Sequence, residues 1–194
     1  MSESTSLTRE IAIDQANDLR DEEPINAATH SIGCLLSACA TVGMIMFAGA
    51  ESAPLIVCLI FSIALTTMYA VSALSHAVSE PQQKHLLRAW DQGVIYLLIV
   101  ATYTPFLWQY ASTKVMLITL SVIWLAAIVG CISKIVFLYR VDDRFSPATY
   151  IALGWLPALA VCCYVPWECL QWIALGGILY TVGVVFLSLD RRVP

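Results

Sequence analysis

Six long apolar stretches, separated by short polar breaks, dominate the pattern of this chain. Their approximate limits are Ala27 to Ala50, Pro54 to Val78, Ala89 to Tyr110, Lys114 to Tyr139, Pro147 to Val165 and Cys169 to Leu189. A helix that crosses a bilayer needs about 20 mainly apolar residues, and each stretch is close to that length. The pattern therefore predicts an all-α fold, a polytopic transmembrane bundle of six spanning helices whose short connections favour antiparallel neighbours.

The first 25 residues have a different character and are predicted to form a separate N-terminal tail, with the bundle occupying residues 26–194. Seven acidic residues and only two arginines lie within the first 23 positions. Leu7, Ile11 and Leu19 are compatible with an interfacial helix that begins near Thr8, and a solvated tail is an equal alternative. The acidic start, without a basic region leading into an apolar core, argues against a signal peptide.

Composition supports a lipid-solvated chain. Hydrophobic residues make up 59% of the sequence and charged residues 12%, and the mean hydropathy is +0.77. A water-soluble domain needs more polar side chains to cover its surface. The net charge of −4 argues against nucleic acid as a partner, which leaves membrane lipids. Seven cysteines, mostly in apolar runs and without a CxxC pair, are predicted to be buried and reduced.

Lysine and arginine predict the orientation, because basic residues concentrate on the cytoplasmic side of membrane proteins. Eight of them fall on one side of the predicted helices: Arg9, Arg20, Lys84, Arg88, Arg140, Arg144, Arg191 and Arg192. Only Lys114 falls on the opposite side, and Lys134 is expected to snorkel toward the basic face. The N-terminus and Pro194 are therefore both predicted to be cytoplasmic.

Polar residues gather where three predicted helices meet this inner face. Glu22, Glu23, Asn26 and His30 lead into the first helix, Ser72 and His76 close the second, and Asp91 opens the third. Ionisable groups at membrane depth are costly, which makes them candidates for function. Because Ser72 and His76 are four residues apart, they share a helix face and the serine can orient the ring.

Structural interpretations of the same residues remain open at this point. A single histidine at a helix end, such as His76, is more often interfacial than a metal ligand, and Asp91 fits equally well as a partner of the helix dipole. His85 is expected in a solvated loop. The Gly33, Ser37, Thr41 spacing favours close helix packing over a site.

Three segments carry a resemblance to a known family. They are Glu22-Glu-Pro-Ile-Asn26-Ala-Ala-Thr-His30-Ser-Ile-Gly33, then Ser72-Ala-Leu-Ser-His76, then Asp91-Gln-Gly-Val-Ile-Tyr-Leu-Leu-Ile-Val-Ala-Thr-Tyr-Thr-Pro105-Phe. From Glu22 onward the chain resembles the hemolysin III group of bacterial membrane proteins, relatives of the progestin and adiponectin receptor family. The resemblance implies a seven-helix bundle in the bacterial inner membrane, with a zinc ion near the cytoplasmic face.

The resemblance also implies roles for individual residues. His76 would be a direct zinc ligand, Asp91 would hold or activate the zinc-bound water, and Ser72 would support them. Some members of the superfamily are regarded as lipid amide hydrolases, so a lipid substrate is implied. The alternative class is a non-enzymatic pore-forming cytolysin or a regulator of membrane state.

Two features differ from the family pattern. Ser75 and Gln92 stand where related sequences tend to have an aromatic residue and a histidine. Related chains also continue into a seventh helix that begins with two further histidines, whereas this sequence ends at Pro194. We therefore expect only half of a zinc site, weak zinc binding and an inactive chain. The oligomeric state and the identity of a lipid substrate are left open.

Overall fold

The computed structural model describes residues 2–47, 52–137 and 146–190, and all regular structure within them is helical. The six helices are α1 (Ser2–Phe47), α2 (Ser52–Ala77), α3 (Pro81–Tyr110), α4 (Thr113–Val136), α5 (Ser146–Val161) and α6 (Trp167–Asp190). The prediction of an all-helical bundle with six main helices is confirmed.

Five of the helices are long and apolar enough to cross a membrane. The exception is α5, whose 16 residues extend about 24 Å at 1.5 Å per residue, less than the roughly 30 Å of a hydrocarbon core. The segment that precedes α5, residues 138–145, lies outside the described residues. With five apolar spans and a sixth, shorter apolar helix, the chain is an integral membrane protein.

Helix α1 is much longer than its predicted apolar part. It begins at Ser2 rather than at Ala27 and continues through Pro24 without interruption. The part with the character of a membrane span is Glu22–Met46. The apolar pattern therefore located the span correctly to within a few residues, but it did not locate the start of the helix, because helix formation does not require an apolar face.

Helix α3 begins at Pro81, eight residues before the predicted Ala89. Glu80 caps it, since its Oε2 accepts a hydrogen bond of 2.8 Å from the backbone N–H of Gln83, and Pro81 suits the first helical position. Two expectations were wrong as a result. His85 lies on a helix rather than in a loop, and Asp91 lies about three turns into α3 rather than opening it.

Helix α3 is the centre of the bundle. Half of the residues in an apolar 18-residue stretch of α3 are buried, against only 6% in the corresponding stretches of α1 and α6. Helix α2 packs between α1 and α3, helices α4 and α5 pack on the other side of α3, and α6 packs on α5. The core consists mainly of α3 side chains, such as Val100, Tyr103 and Leu107, against residues of α4 and α5.

Glycines allow two close helix contacts. A Cβ atom on Gly33 would lie 2.6 Å from the ring of Tyr69, and one on Gly130 would lie 2.7 Å from the ring of Tyr96. Small residues allow membrane helices to approach each other in this way. Ser37, one turn after Gly33, is buried, so the structure supports the packing interpretation of this stripe.

Two predictions about reactive or charged side chains have different outcomes. All seven cysteines lie within the described residues and are free, as predicted, but only Cys131 is fully buried. Lys134 does not extend to the surface as expected. It is buried in the last turn of α4, where it is 5% exposed.

Candidate polar site where helices α1, α2 and α3 meet

One end of the bundle brings together charged and polar side chains from three helices. We call this set the polar cluster; its members are Glu23, His30, Ser72, His76, Lys84, Arg88 and Asp91. Helix α1 contributes the first two residues, the last two turns of α2 the next two, and the first three turns of α3 the rest. The cluster exists because α2 ends and α3 begins beside the part of α1 where the acidic sequence meets the apolar span.

Glu23 makes three close polar contacts. Its Oε2 lies 2.7 Å from Nδ1 of His76. Its Oε1 lies 2.8 Å from Nζ of Lys84 and 2.9 Å from Nη2 of Arg88. The Glu23 side chain is 20% exposed, so this carboxylate is largely removed from solvent and is balanced by cations.

The imidazole rings of His30 and His76 stack on each other. Their centroids are 5.5 Å apart and the ring planes differ by 5°. On α1, His30 also faces the ring of Tyr69, at a centroid distance of 6.1 Å. Since Tyr69 packs against Gly33, the close α1–α2 contact positions His30 beside His76.

Asp91 faces this pair of histidines from α3. Its carboxylate interacts with the Ser72 hydroxyl and lies in the electrostatic field of His30, His76 and Arg88. Ser72 is buried. The neighbouring Ser75, also buried, uses its hydroxyl on the backbone carbonyl of Ser72, at 2.9 Å. Ser72, His76 and Asp91 thus lie near one another at this end of the bundle, and the roles that the sequence suggested for them stay a prediction.

Two candidates from the sequence take no part in these contacts. Glu22 is exposed, and the backbone carbonyl of Asn26 accepts a hydrogen bond of 3.0 Å from the Thr29 hydroxyl. Lys84 and Arg88, in contrast, were predicted only as markers of orientation. Their spacing of four residues places them on one helix face, but only with α3 starting at Pro81 does that face reach Glu23.

A second region of interest is an apolar cavity of about 500 Å³ between α3, α5 and α6. Its walls include Tyr103, Phe106, Trp155, Trp172 and the Gly176-Gly177 pair. It is lined by the part of α3 that follows the polar cluster, residues 95–106. Aromatic and glycine residues therefore leave an open space in this part of the bundle, whereas ion pairs connect the side chains of the polar cluster.

The hydroxyl of Tyr180, a residue that also lines the cavity, is buried and has no hydrogen-bond partner among the residues that the structure describes. Other polar groups nearby are paired. The Tyr103 hydroxyl donates to the carbonyl of Gly154, and Nε1 of Trp155 donates to the Thr181 hydroxyl at 3.0 Å.

The polar cluster fits a zinc ion only in part. His76 supplies an imidazole and Asp91 a carboxylate, but a catalytic zinc needs three protein ligands. Within the described residues, no group of three His, Cys, Asp or Glu side chains is arranged to hold a metal ion. The residues present therefore correspond to part of a donor set, and no reaction step through a metal follows from them.

Fold and site together define a helical integral membrane protein with a histidine–carboxylate cluster at one end of its bundle. The family model described as "Haemolysin-III related" matches residues 19–194. The chain therefore belongs to the haemolysin-III-related family.

Individual relatives agree with this assignment. "Hemolysin-3 homolog" of Bacillus subtilis (strain 168) is 35% identical over 178 residues, which cover 89% of this chain and 83% of that protein. "Hemolysin-3" of Bacillus cereus is also 35% identical over 178 residues, covering 88% and 80%. The human "Monocyte to macrophage differentiation factor" is 32% identical over 142 residues, covering 70% of this chain and 58% of that protein. The family is thus related to the progestin and adiponectin receptor proteins.

Proposed function

We propose that the polar cluster is one half of a zinc-dependent hydrolase site that acts on lipid amides. The observation that carries this proposal is that Asp91 of α3 faces both Ser72 and His76 of α2. In this role His76 would bind the metal, Asp91 would hold or move a proton of the attacking water, and Ser72 would orient Asp91. A zinc ion, when bound, supplies a Lewis acid that activates water near neutral pH.

A hydrolase of membrane lipids needs its reacting groups near the surface of the bilayer, where water and the polar linkage of the lipid meet. The cluster lies where the apolar spans of α2 and α3 adjoin charged residues. His76 retains 22% of its side-chain exposure, so a small molecule or ion has access to it. These features support a site for an interfacial lipid group.

The partial donor set leads to a prediction about metal content. The purified chain is expected to bind zinc weakly and below one ion per molecule, because one imidazole and one carboxylate fall short of three ligands. Appending an apolar helix that opens with His-x-x-x-His should raise zinc toward one ion per chain, since residues four apart lie on one helix face. Elemental analysis before and after the addition measures this, with His76→Ala as the control. Stoichiometric zinc in the unextended chain that depends on His76 would contradict the half-site.

Activity measurements separate the hydrolase from the alternative class, a pore-forming cytolysin. In vesicles, the extended chain should hydrolyse a lipid amide, and the activity should fall at least tenfold with chelator or with Asp91→Asn. A pore would instead release an enclosed dye, and neither chelator nor Asp91→Asn would matter. Dye release without metal-dependent hydrolysis would overturn the proposal.

The orientation belongs to the same proposal, with the polar cluster on the cytoplasmic side of a bacterial inner membrane. The asymmetric distribution of lysine and arginine supports it. A reporter that is active only in the cytoplasm should work when fused after Pro194 and fail when inserted between Ala111 and Thr113. The reverse pattern would show that the cluster faces the opposite side.

A further inference from the structure

Glu23 divides its two carboxylate oxygens between two kinds of partner. Among the described residues, Oε2 contacts Nδ1 of His76, whereas Oε1 contacts Lys84 and Arg88. The histidine belongs to α2 and both cations to α3, while Glu23 itself is on α1. One carboxylate therefore links three helices.

The contact with Oε2 determines which nitrogen of His76 carries hydrogen. An ionised carboxylate can only accept hydrogen bonds, so at 2.7 Å the Nδ1 atom must be the donor. In the neutral ring the lone pair is then on Nε2. A histidine that binds a metal is commonly held in this way, with its other nitrogen donating to a carboxylate.

Two further contacts restrict the geometry. The His30 ring stacks on one face of the His76 ring, which limits its rotation. Lys84 and Arg88, one helix turn apart on the same face of α3, hold the second oxygen of Glu23 and so orient its carboxylate. The position of the His76 ring thus depends on the start of α3 as well as on α2.

We propose that Glu23 is the positioning residue of the polar cluster. It fixes the His76 ring with hydrogen on Nδ1 and thereby presents Nε2 to a metal ion or reacting group, while Lys84 and Arg88 hold Glu23 in place. The part that concerns metal rests on the function proposed above, whereas the part that concerns the ring does not. A role in stability alone would require the ion pairs but no particular tautomer of His76.

The tautomer can be measured by ¹⁵N NMR of the full chain in lipid nanodiscs, with labelled histidine and at a pH where the rings are neutral. The chain has three histidines, so His30→Gln and His85→Gln assign the signals. A hydrogen bond to a charged group is worth about 1.5–3 kcal/mol, which favours the Nδ1–H form about tenfold or more. Glu23→Gln should remove most of that preference, because an amide can donate as well as accept.

Glu22→Gln is the matched control, since it removes the same charge from the neighbouring, exposed residue. This variant should leave the His76 signals unchanged. If Glu23→Gln does not fold, Glu23→Asp decides the question: it retains the negative charge but withdraws the carboxylate by one methylene, which the long side chains of Lys84 and Arg88 can follow more easily than the stacked ring of His76. An unchanged Nδ1–H preference in the folded Glu23 variant would overturn the proposal.

Zinc affinity provides the second readout, measured by titration of the chain extended with the His-x-x-x-His helix. Loss of a carboxylate that orients a ligand typically lowers metal affinity 10–100-fold, so Glu23→Gln should bind zinc about that much more weakly than Glu22→Gln. Equal affinities would overturn the positioning role toward the metal. If no variant binds zinc while the tautomer changes as expected, the zinc hydrolase is refuted and the positioning of His76 by Glu23 stands.

Discussion

The two ends of α3 are built on different principles. Its first turns carry Lys84 and Arg88, which form ion pairs with Glu23 of α1, and Asp91, which faces Ser72 of α2. Its later turns, residues 95–106, line an apolar cavity in which bulky rings leave space and the Tyr180 hydroxyl has no partner in the described part of the chain. Directional contacts determine side-chain positions at the first end, whereas shape and volume determine them at the second.

This difference has consequences for function. Ion pairs and hydrogen bonds allow few alternative arrangements, so the polar cluster can hold a reacting group in a defined place. An apolar cavity between membrane helices has no such restriction, because van der Waals contacts can be made in many ways. The same helix thus provides a rigid site at one end and an adaptable space at the other.

Reversing the charge of Glu23 is the most disruptive test of the ion-paired end of α3. Glu23→Lys would place a third amino or guanidinium group beside Lys84 and Arg88, and like charges in close contact cost several kcal/mol. We expect a marked fall in the thermal unfolding midpoint in detergent. Glu22→Lys introduces the same charge at an exposed position and should have little effect. Equal midpoints for the two variants would show that the Glu23 network does not stabilise the bundle.

Removing single hydroxyl groups tests the packing around the apolar cavity. The two variants below should change the free energy of unfolding differently. Tyr103→Phe leaves the carbonyl of Gly154 without its donor and should destabilise the protein by about 1–2 kcal/mol. Tyr180→Phe removes a buried hydroxyl that has no partner, so it should be neutral or stabilise by up to about 1 kcal/mol. Reversible unfolding in mixed micelles compares the two. A loss at Tyr180 as large as that at Tyr103 would mean that the Tyr180 hydroxyl has a partner.

The smallest effect is expected at the exposed edge of the polar cluster. Arg88 is 54% exposed, while Lys84 is 23% exposed and bonds to the same oxygen. Arg88→Ala should therefore cost only about 0.2–1 kcal/mol, as exposed ion pairs do, and raising the salt concentration should reduce this difference. Unfolding at low and high salt measures it. Lys84→Ala should cost more, and the opposite order would identify Arg88 as the main partner of Glu23.

The helices were predictable to different degrees. The apolar runs located the membrane spans of α2, α4 and α6 because lipid selects for about 20 apolar residues. The same criterion misplaced the starts of α1 and α3, whose first turns lie outside the apolar region. For α3 a local sign was present, since an acidic residue before proline, as in Glu80-Pro81, is suited to a helix start.

The site was predictable as a set of residue types but not as a set of contacts. The polar residues near three predicted helix ends indicated His76, Asp91 and Ser72 as candidates, because polar groups are costly at membrane depth. Pattern alone could not assign Glu23 as the partner of His76, Lys84 and Arg88, since 53 to 65 residues separate it from His76 and Arg88.

Local hydropathy and composition were enough to predict that this chain lies in a lipid bilayer, that it is helical and which residue types are available for chemistry. Tertiary structure alone decided which oxygen of Glu23 contacts which partner, that His30 stacks on His76, and that α3, α5 and α6 line an open apolar cavity beside Tyr180. These features depend on the relative rotation and depth of packed helices. A helix can turn about its axis without any change in its hydropathy, so only the packed bundle selects one arrangement.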